Sequence, residues 1–380
     1  MEQENVIRLP PLLILLLLTT LAGFVFGLLL PHWLALRPAA PLHLIFALGI
    51  MPLILGAMTY FVPVLTRTRA PEPLSLIPAL LALAAGILLS ISLFFSFALY
   101  PFAAVIGLTA ALWLSIWIQR RKKQTLGRPH PGLIWYQLAL ASLLLGLIAI
   151  LAGTLFPDYW TQLRRLHLHL NLLGFVGLTA LGTLRVLLPT GGGYGDPEAG
   201  PWLMCQWRWM TSGALFMALG AAVSPILSLL GMVLWLPPLA QLLKSLFITH
   251  RQHIWQQHGA TTPLACAVLG LTILLLSGAV HAFGWHAATY TTQAFIPLFL
   301  LPLVSGAATH LLPLWVTAAR HSNHEQALRQ RLGRHGGGRA ALFLLGGLLI
   351  LAGQGWGVVP ILLALLHFII AALRCLFLKS

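Results

Sequence analysis

Long apolar stretches follow one another along almost the whole of this 380-residue chain, and polar residues collect in the short intervals between them. A helix that spans a bilayer needs about 20 mostly apolar residues. Twelve stretches qualify, near 10–30, 42–64, 74–98, 101–118, 133–155, 166–189, 202–221, 223–247, 262–284, 290–316, 340–357 and 359–378. The third and fourth, seventh and eighth, and eleventh and twelfth are joined by very short links. The pattern predicts an all-α polytopic membrane protein, a single transmembrane domain over 1–380, with no length left for a separate soluble domain. The first stretch follows two glutamates and one arginine and shows no clear small-residue cleavage site, so it reads as a retained helix rather than a signal peptide.

A second pattern is superimposed on the first. His43 is followed by Gly56 and Pro63, and His169 by Gly182 and Pro189, with the same spacing. A third copy keeps Gly306 and Pro313 but has Gln293 in place of the histidine. The copies start 126 and 124 residues apart, and each lies in the second helix of a group of four. Leucine matches between apolar helices carry no weight, but a fixed period of glycine and proline is a fold signal. The chain therefore reads as three pseudo-repeats of four helices, approximately 1–128, 129–255 and 256–380. In this reading the glycines let a neighbouring helix or a flat macrocycle approach the backbone, and the prolines kink or end the helix.

Composition sharpens the class. The chain is 59% hydrophobic and 8% charged, against roughly 25% charged in soluble domains. A net charge of +15 would suggest nucleic acid in a soluble protein, but here its distribution follows orientation. Lysine and arginine accumulate in cytoplasmic loops. With the N-terminus inside, the cytoplasmic segments hold Arg67, Arg69, Arg120, Arg121, Lys122, Lys123, Arg128, Lys244, Arg251, Arg320, Arg329, Arg331, Arg334 and Arg339. The outer side holds only Arg37, Arg164 and Arg165. The expectation is N-in and C-in, in a bacterial inner membrane, with the lipid bilayer and not nucleic acid as the surrounding partner. The seven acids (Glu2, Glu4, Glu72, Asp158, Asp196, Glu198 and Glu325) all fall in loops or tails. Proton pumps use carboxylates inside the membrane as relays, so pumping is not expected.

The candidate chemistry lies in the histidines. Of fifteen, His130, His250, His253, His258, His321, His324 and His335 fall in cytoplasmic loops and read as solvated or headgroup-facing. His32, His43, His167, His169, His281 and His286 gather near outer helix ends. His43 and His169, matched in repeat position and depth, are the expected axial ligands of one haem, because such ligation needs two imidazoles from facing helices and an apolar slot between them. His167 is two residues from His169, so the two rings point about 200° apart on a helix and could serve different pockets. Arg164 and Arg165, one turn earlier, are candidates to pair with propionates, beside an interfacial belt of Tyr159 and Trp160. A closed zinc site needs four ligands, and no carboxylate or thiolate partners accompany these histidines. The cysteines, Cys205, Cys266 and Cys375, form no cluster, redox pair or CxxCH attachment site, so the expected haem is b-type. His310 reads as a helix–helix hydrogen-bond partner, and His367 has no evident role.

The stretch MPLILGAMTYFVPVL, residues 51–65, is similar to the second helix of subunit I of the haem–copper oxidase superfamily. The stretch HLHLNLLGFVGLTALGTLRVLLP, residues 167–189, resembles that family's tenth helix, where an HxH pair serves two haems on opposite faces. The resemblance implies twelve helices in three arcs, N-in and C-in, with haem toward the outer side. It also touches the NnrS family of twelve-helix haem proteins, although that family's histidine-rich signature is not evident here. Two departures matter. The HxH falls in the sixth helix rather than the tenth, and no histidine occurs from residue 170 to residue 249, so the family's copper site is not expected.

Three function classes remain at this stage. The first is a haem protein without copper that carries electrons or handles a diatomic gas such as NO or O2, with a redox protein or quinone as partner; whether it catalyses an oxidoreduction is left open. The second is a repeat-built transporter. The third is an assembly factor that handles haem or metal for an oxidase.

Overall fold

The computed structural model describes residues 9–317 and 323–377. Glu2, Glu4, Arg320 and His321 lie outside the described residues. Among those described, the ordered elements are all helical. Twelve long rods carry the fold. They are α1 (Pro10–His32), α2 (Ala39–Thr66), α3 (Leu74–Phe94), α4 (Phe97–Lys123), α5 (Gly132–Leu155), α6 (Pro157–Gly192), α7 (Ala199–Val223), α8 (Pro225–Thr249), α9 (Thr261–Ala282), α10 (Ala288–Thr317), α11 (Gly336–Leu351) and α12 (Gly355–Phe377). The protein is an all-α polytopic membrane protein. Ten of the rods are long and apolar enough to cross a bilayer. The other two of the twelve expected spans are α7, interrupted by Gln206 and Arg208, and α11, which has 16 residues.

The short links fall where the sequence puts them. Extended backbone at Ser96 and Ser224 separates α3 from α4 and α7 from α8. Gly353, with φ of 78°, makes the turn between α11 and α12 that a side chain would strain. Sequence and structure differ most at α6. Its first turns, from Pro157 to Arg165, are too polar to register as a span, yet they are helical and continuous with the apolar part.

The chain forms two compact units, 1–179 and 180–380, and the division falls inside α6. In the first unit, α2 changes from α to π geometry over Leu44–Ile50 and returns to α at Met51. Small residues admit this wider segment. A Cβ on Gly23 of α1 would lie 2.5 Å from the Leu44 carbonyl oxygen, and one on Gly86 of α3 would lie 2.6 Å from Leu48 Cα. The π turn therefore packs backbone against backbone. α6 repeats the device over Leu170–Gly177, where Gly174 meets Ser142 of α5. In the second unit α10 is π-helical over Ile296–Leu300, and Gly270 of α9 and Gly347 of α11 pack against Leu298. The wider turn thus follows His43 and His169 directly and begins three residues after Gln293. A further π turn, Ser245–Thr249, ends α8.

Candidate functional site

His43 closes the short α-helical opening of α2, directly before the π turn. Its Nδ1 donates to the Ala39 carbonyl at 2.8 Å. His167 lies on α6 three residues before the second π turn, and its Nδ1 donates across to the Gly146 carbonyl of α5 at 2.8 Å. An imidazole that donates from Nδ1 keeps its lone pair on Nε2, which is the form that binds a metal. Carbonyl partners of this kind orient metal-ligating histidines. The two ring centroids lie 6.3 Å apart, with planes 14° from parallel. One metal bonded at about 2 Å to a nitrogen of each ring would set the centroids about 6 Å apart.

The ring brought to His43 is thus that of His167, whereas the repeat spacing had matched His43 with His169. His169 has its own anchor, Nδ1 to the Arg165 carbonyl at 2.9 Å, and it too keeps Nε2 for another partner. Its position two residues on turns it to a different side of α6. Arg164 and Arg165 are both exposed. Nearby, Phe97, Tyr100 and Trp160 form an aromatic cluster with centroid separations of 4.6 to 6.3 Å, and Arg37 lies 5.2 Å from the Phe97 ring centre.

Gly56 is buried, and a Cβ there would lie 2.7 Å from Leu16 and 3.2 Å from Leu13 of α1. Of the two roles expected for it, Gly56 serves helix approach. Gly182 is buried on α6. Two residues that sequence reasoning passed over belong to the His167 site: Gly146, whose carbonyl receives the imidazole, and Asn171, whose Nδ2 donates to the His167 carbonyl at 2.7 Å. One signal was available. Gly23, Gly146 and Gly270 recur 123 and 124 residues apart, close to the repeat period.

The second unit holds a different polar cluster. Arg185 Nη1 lies 2.7 Å from Asp196 Oδ2, with side chains 7% and 2% exposed. His250 Nε2 lies 3.8 Å from Asp196 Oδ1. Tyr194 stacks on His250 at 4.4 Å and lies 5.2 Å from His253. Burial and then the Asp196 carboxylate push the Tyr194 phenol up to about 12, so it stays protonated. Asp196 is a loop residue, as expected, but a buried and paired one. Likewise Glu325 is buried and bonded to Arg329, on the short helix Asn323–Gly333 rather than in a loop. His250 therefore packs on Tyr194 and is only half-exposed, whereas His253 lies beside the same ring and is exposed, as expected. His310 is buried in α10, and its Nδ1 has no hydrogen-bond partner among the described residues. His258 meets His335, which in turn meets His367.

No group of three or more histidine, cysteine or carboxylate side chains among the described residues is placed to hold a metal ion. Neither a family model nor a curated protein matches the chain.

Proposed function

We propose that this protein is a haem-binding integral membrane protein, with His43 and His167 as axial ligands, and that it transfers electrons. The observation that carries the reading is the near-parallel imidazole pair, 6.3 Å apart, each ring anchored through Nδ1 on a carbonyl. Two imidazoles alone make a poor cage for a bare ion. They are a complete protein contribution when a macrocycle supplies the other four nitrogens. When bound, the haem supplies one-electron chemistry. The chain's own residues fix two neutral imidazoles, fill the surroundings with apolar side chains, and offer Arg164 and Arg165 to propionates. With His43 and His167 both holding the iron, no position would remain for a gas, which favours electron transfer. The absence of a CxxCH site supports a b-type haem.

The resemblance to subunit I of the haem–copper oxidases, on residues 51–65 and 167–189, supports the same reading without its copper chemistry. Under the charge distribution, the site lies toward the outer side of a bacterial inner membrane, and its electrons come from a redox protein or a quinone. His169, with Nε2 available on another side of α6, supports a second haem; an open position there would bind a gas. The test is the reduced-minus-oxidised optical spectrum of detergent-purified protein with pyridine-haem quantitation. Sharp low-spin bands are expected, at one haem per chain for the His43–His167 pair or two if His169 holds another, and a carbon monoxide response would assign an open site to the second. Protein made with ample haem that carries none would overturn the proposal and leave the transporter reading.

A further inference from the structure

We infer that Asn171 is a positioning residue for His167, holding the turn of α6 that sets the plane of the imidazole; the inference rests on the haem reading. Asn171 is the one asparagine within any of the apolar stretches. A carboxamide there must find partners, because lipid offers none. It lies in the π segment Leu170–Gly177. In π geometry a backbone N–H reaches five residues back instead of four, and carbonyls at the edge of such a segment lose their regular donors. The His167 carbonyl is at that edge, where the Leu170 N–H is shared between it and the Leu166 carbonyl. Asn171 Nδ2 donates to this carbonyl at 2.7 Å, four residues back, and so ties the edge of the π segment to the residue that carries the imidazole. The partner also settles the orientation of the amide, since a carbonyl oxygen accepts only from the nitrogen end.

The same amide touches the ring. Asn171 Nδ2 lies 3.3 Å from His167 Nδ1. That nitrogen already donates to Gly146 O at 2.8 Å, so the amide does not bond it but lies against the ring edge. Gly146 makes this possible: a Cβ there would lie 2.7 Å from Asn171 Nδ2 and 3.5 Å from Leu170 Cβ. Gly146 therefore contributes an acceptor for His167 and the space for Asn171. The imidazole is clamped between a carbonyl from α5 and an amide from its own helix. His43 needs no such clamp, since its carbonyl partner, Ala39, is four residues back on its own helix.

The readout is the shape of the ferric low-spin electron paramagnetic resonance signal, which follows the angle between the two imidazole planes, together with the midpoint potential. Asn171→Leu keeps the branched shape and removes the donor. It is expected to move the signal away from the wild-type shape and to shift the potential, with haem still bound. Asn171→Ser, whose hydroxyl can bond the carbonyl four residues back, is expected to restore both. Gly146→Ala, which crowds the amide without removing the carbonyl, is expected to act like Asn171→Leu. A wild-type signal and potential in Asn171→Leu would overturn the inference, as would an Asn171→Ser protein as altered as the leucine variant. Should Asn171→Leu fail to fold, the serine and alanine variants decide by the same criteria. A wild-type protein without haem contradicts the function itself; a haem-loaded wild type with an indifferent Asn171 contradicts only this role.

Discussion

The two histidines of the HxH pair differ in what they reach, and that difference is the sharpest residue-scale prediction. His167 crosses to the Gly146 carbonyl and faces His43, whereas His169 is held by its own helix. His43→Ala and His167→Ala are each expected to abolish the low-spin spectrum; His169→Ala is expected to keep it. Optical spectra of the three purified variants check this, and a spectrum that survives His167→Ala but not His169→Ala would restore the pairing that the repeat suggests. A second prediction concerns Asp196. Removing one partner of a buried ion pair costs about 3–5 kcal/mol, because the other charge is left unpaired. Asp196→Ala should therefore lower the thermal unfolding midpoint clearly, whereas Glu198→Ala, at an exposed site, should leave it unchanged. The histidine types and their depth were legible in the sequence. Which ring of the HxH pair meets His43 was not, since a two-residue offset is settled by the local winding of α6 and by a carbonyl on α5. The burial of Asp196 was equally hidden, because its partner Arg185 lies eleven residues earlier on a different element.

At the scale of elements, the glycines divide into two kinds. Gly56 faces the flexible ends of Leu13 and Leu16, while Gly23 and Gly86 face the backbone of the π turn of α2. A side chain can yield, whereas a helix backbone cannot without moving the turn that follows His43. Gly56→Ala is expected to cost no more than about 1–3 kcal/mol, as overpacking does, and to leave the haem spectrum intact. Gly86→Ala and Gly23→Ala should destabilise more and should also disturb the spectrum. Thermal unfolding in detergent, read beside the optical bands, separates the cases; equal effects at all three positions would contradict the distinction. The rods themselves were legible from hydropathy, including the three short links. The π turns were not, since their extra residue leaves no mark on an apolar run. The polar first turns of α6 were missed for the opposite reason, because Thr161, Gln162, Arg164 and Arg165 break the apolar pattern that marks a span.

For the whole molecule, the wider turn recurs after His43, His169 and Gln293, within two residues of the glycine and proline period. The third copy keeps the turn without the histidine. A haem ligand at Gln293 is therefore not expected, and Gln293→Ala should leave the haem content unchanged. The charge distribution predicts both termini on the cytoplasmic side, which reporter fusions at the two ends would check; a reporter active outside at either end would contradict it. The central claim is that the first unit holds one haem between two nearly parallel imidazoles. The most direct measurement is the low-temperature electron paramagnetic resonance spectrum of the oxidised, detergent-purified protein. Planes 14° from parallel predict a rhombic low-spin ferric signal that disappears in both His43→Ala and His167→Ala. A strongly axial low-spin signal, a signal that persists in either variant, or a protein without haem would contradict the account.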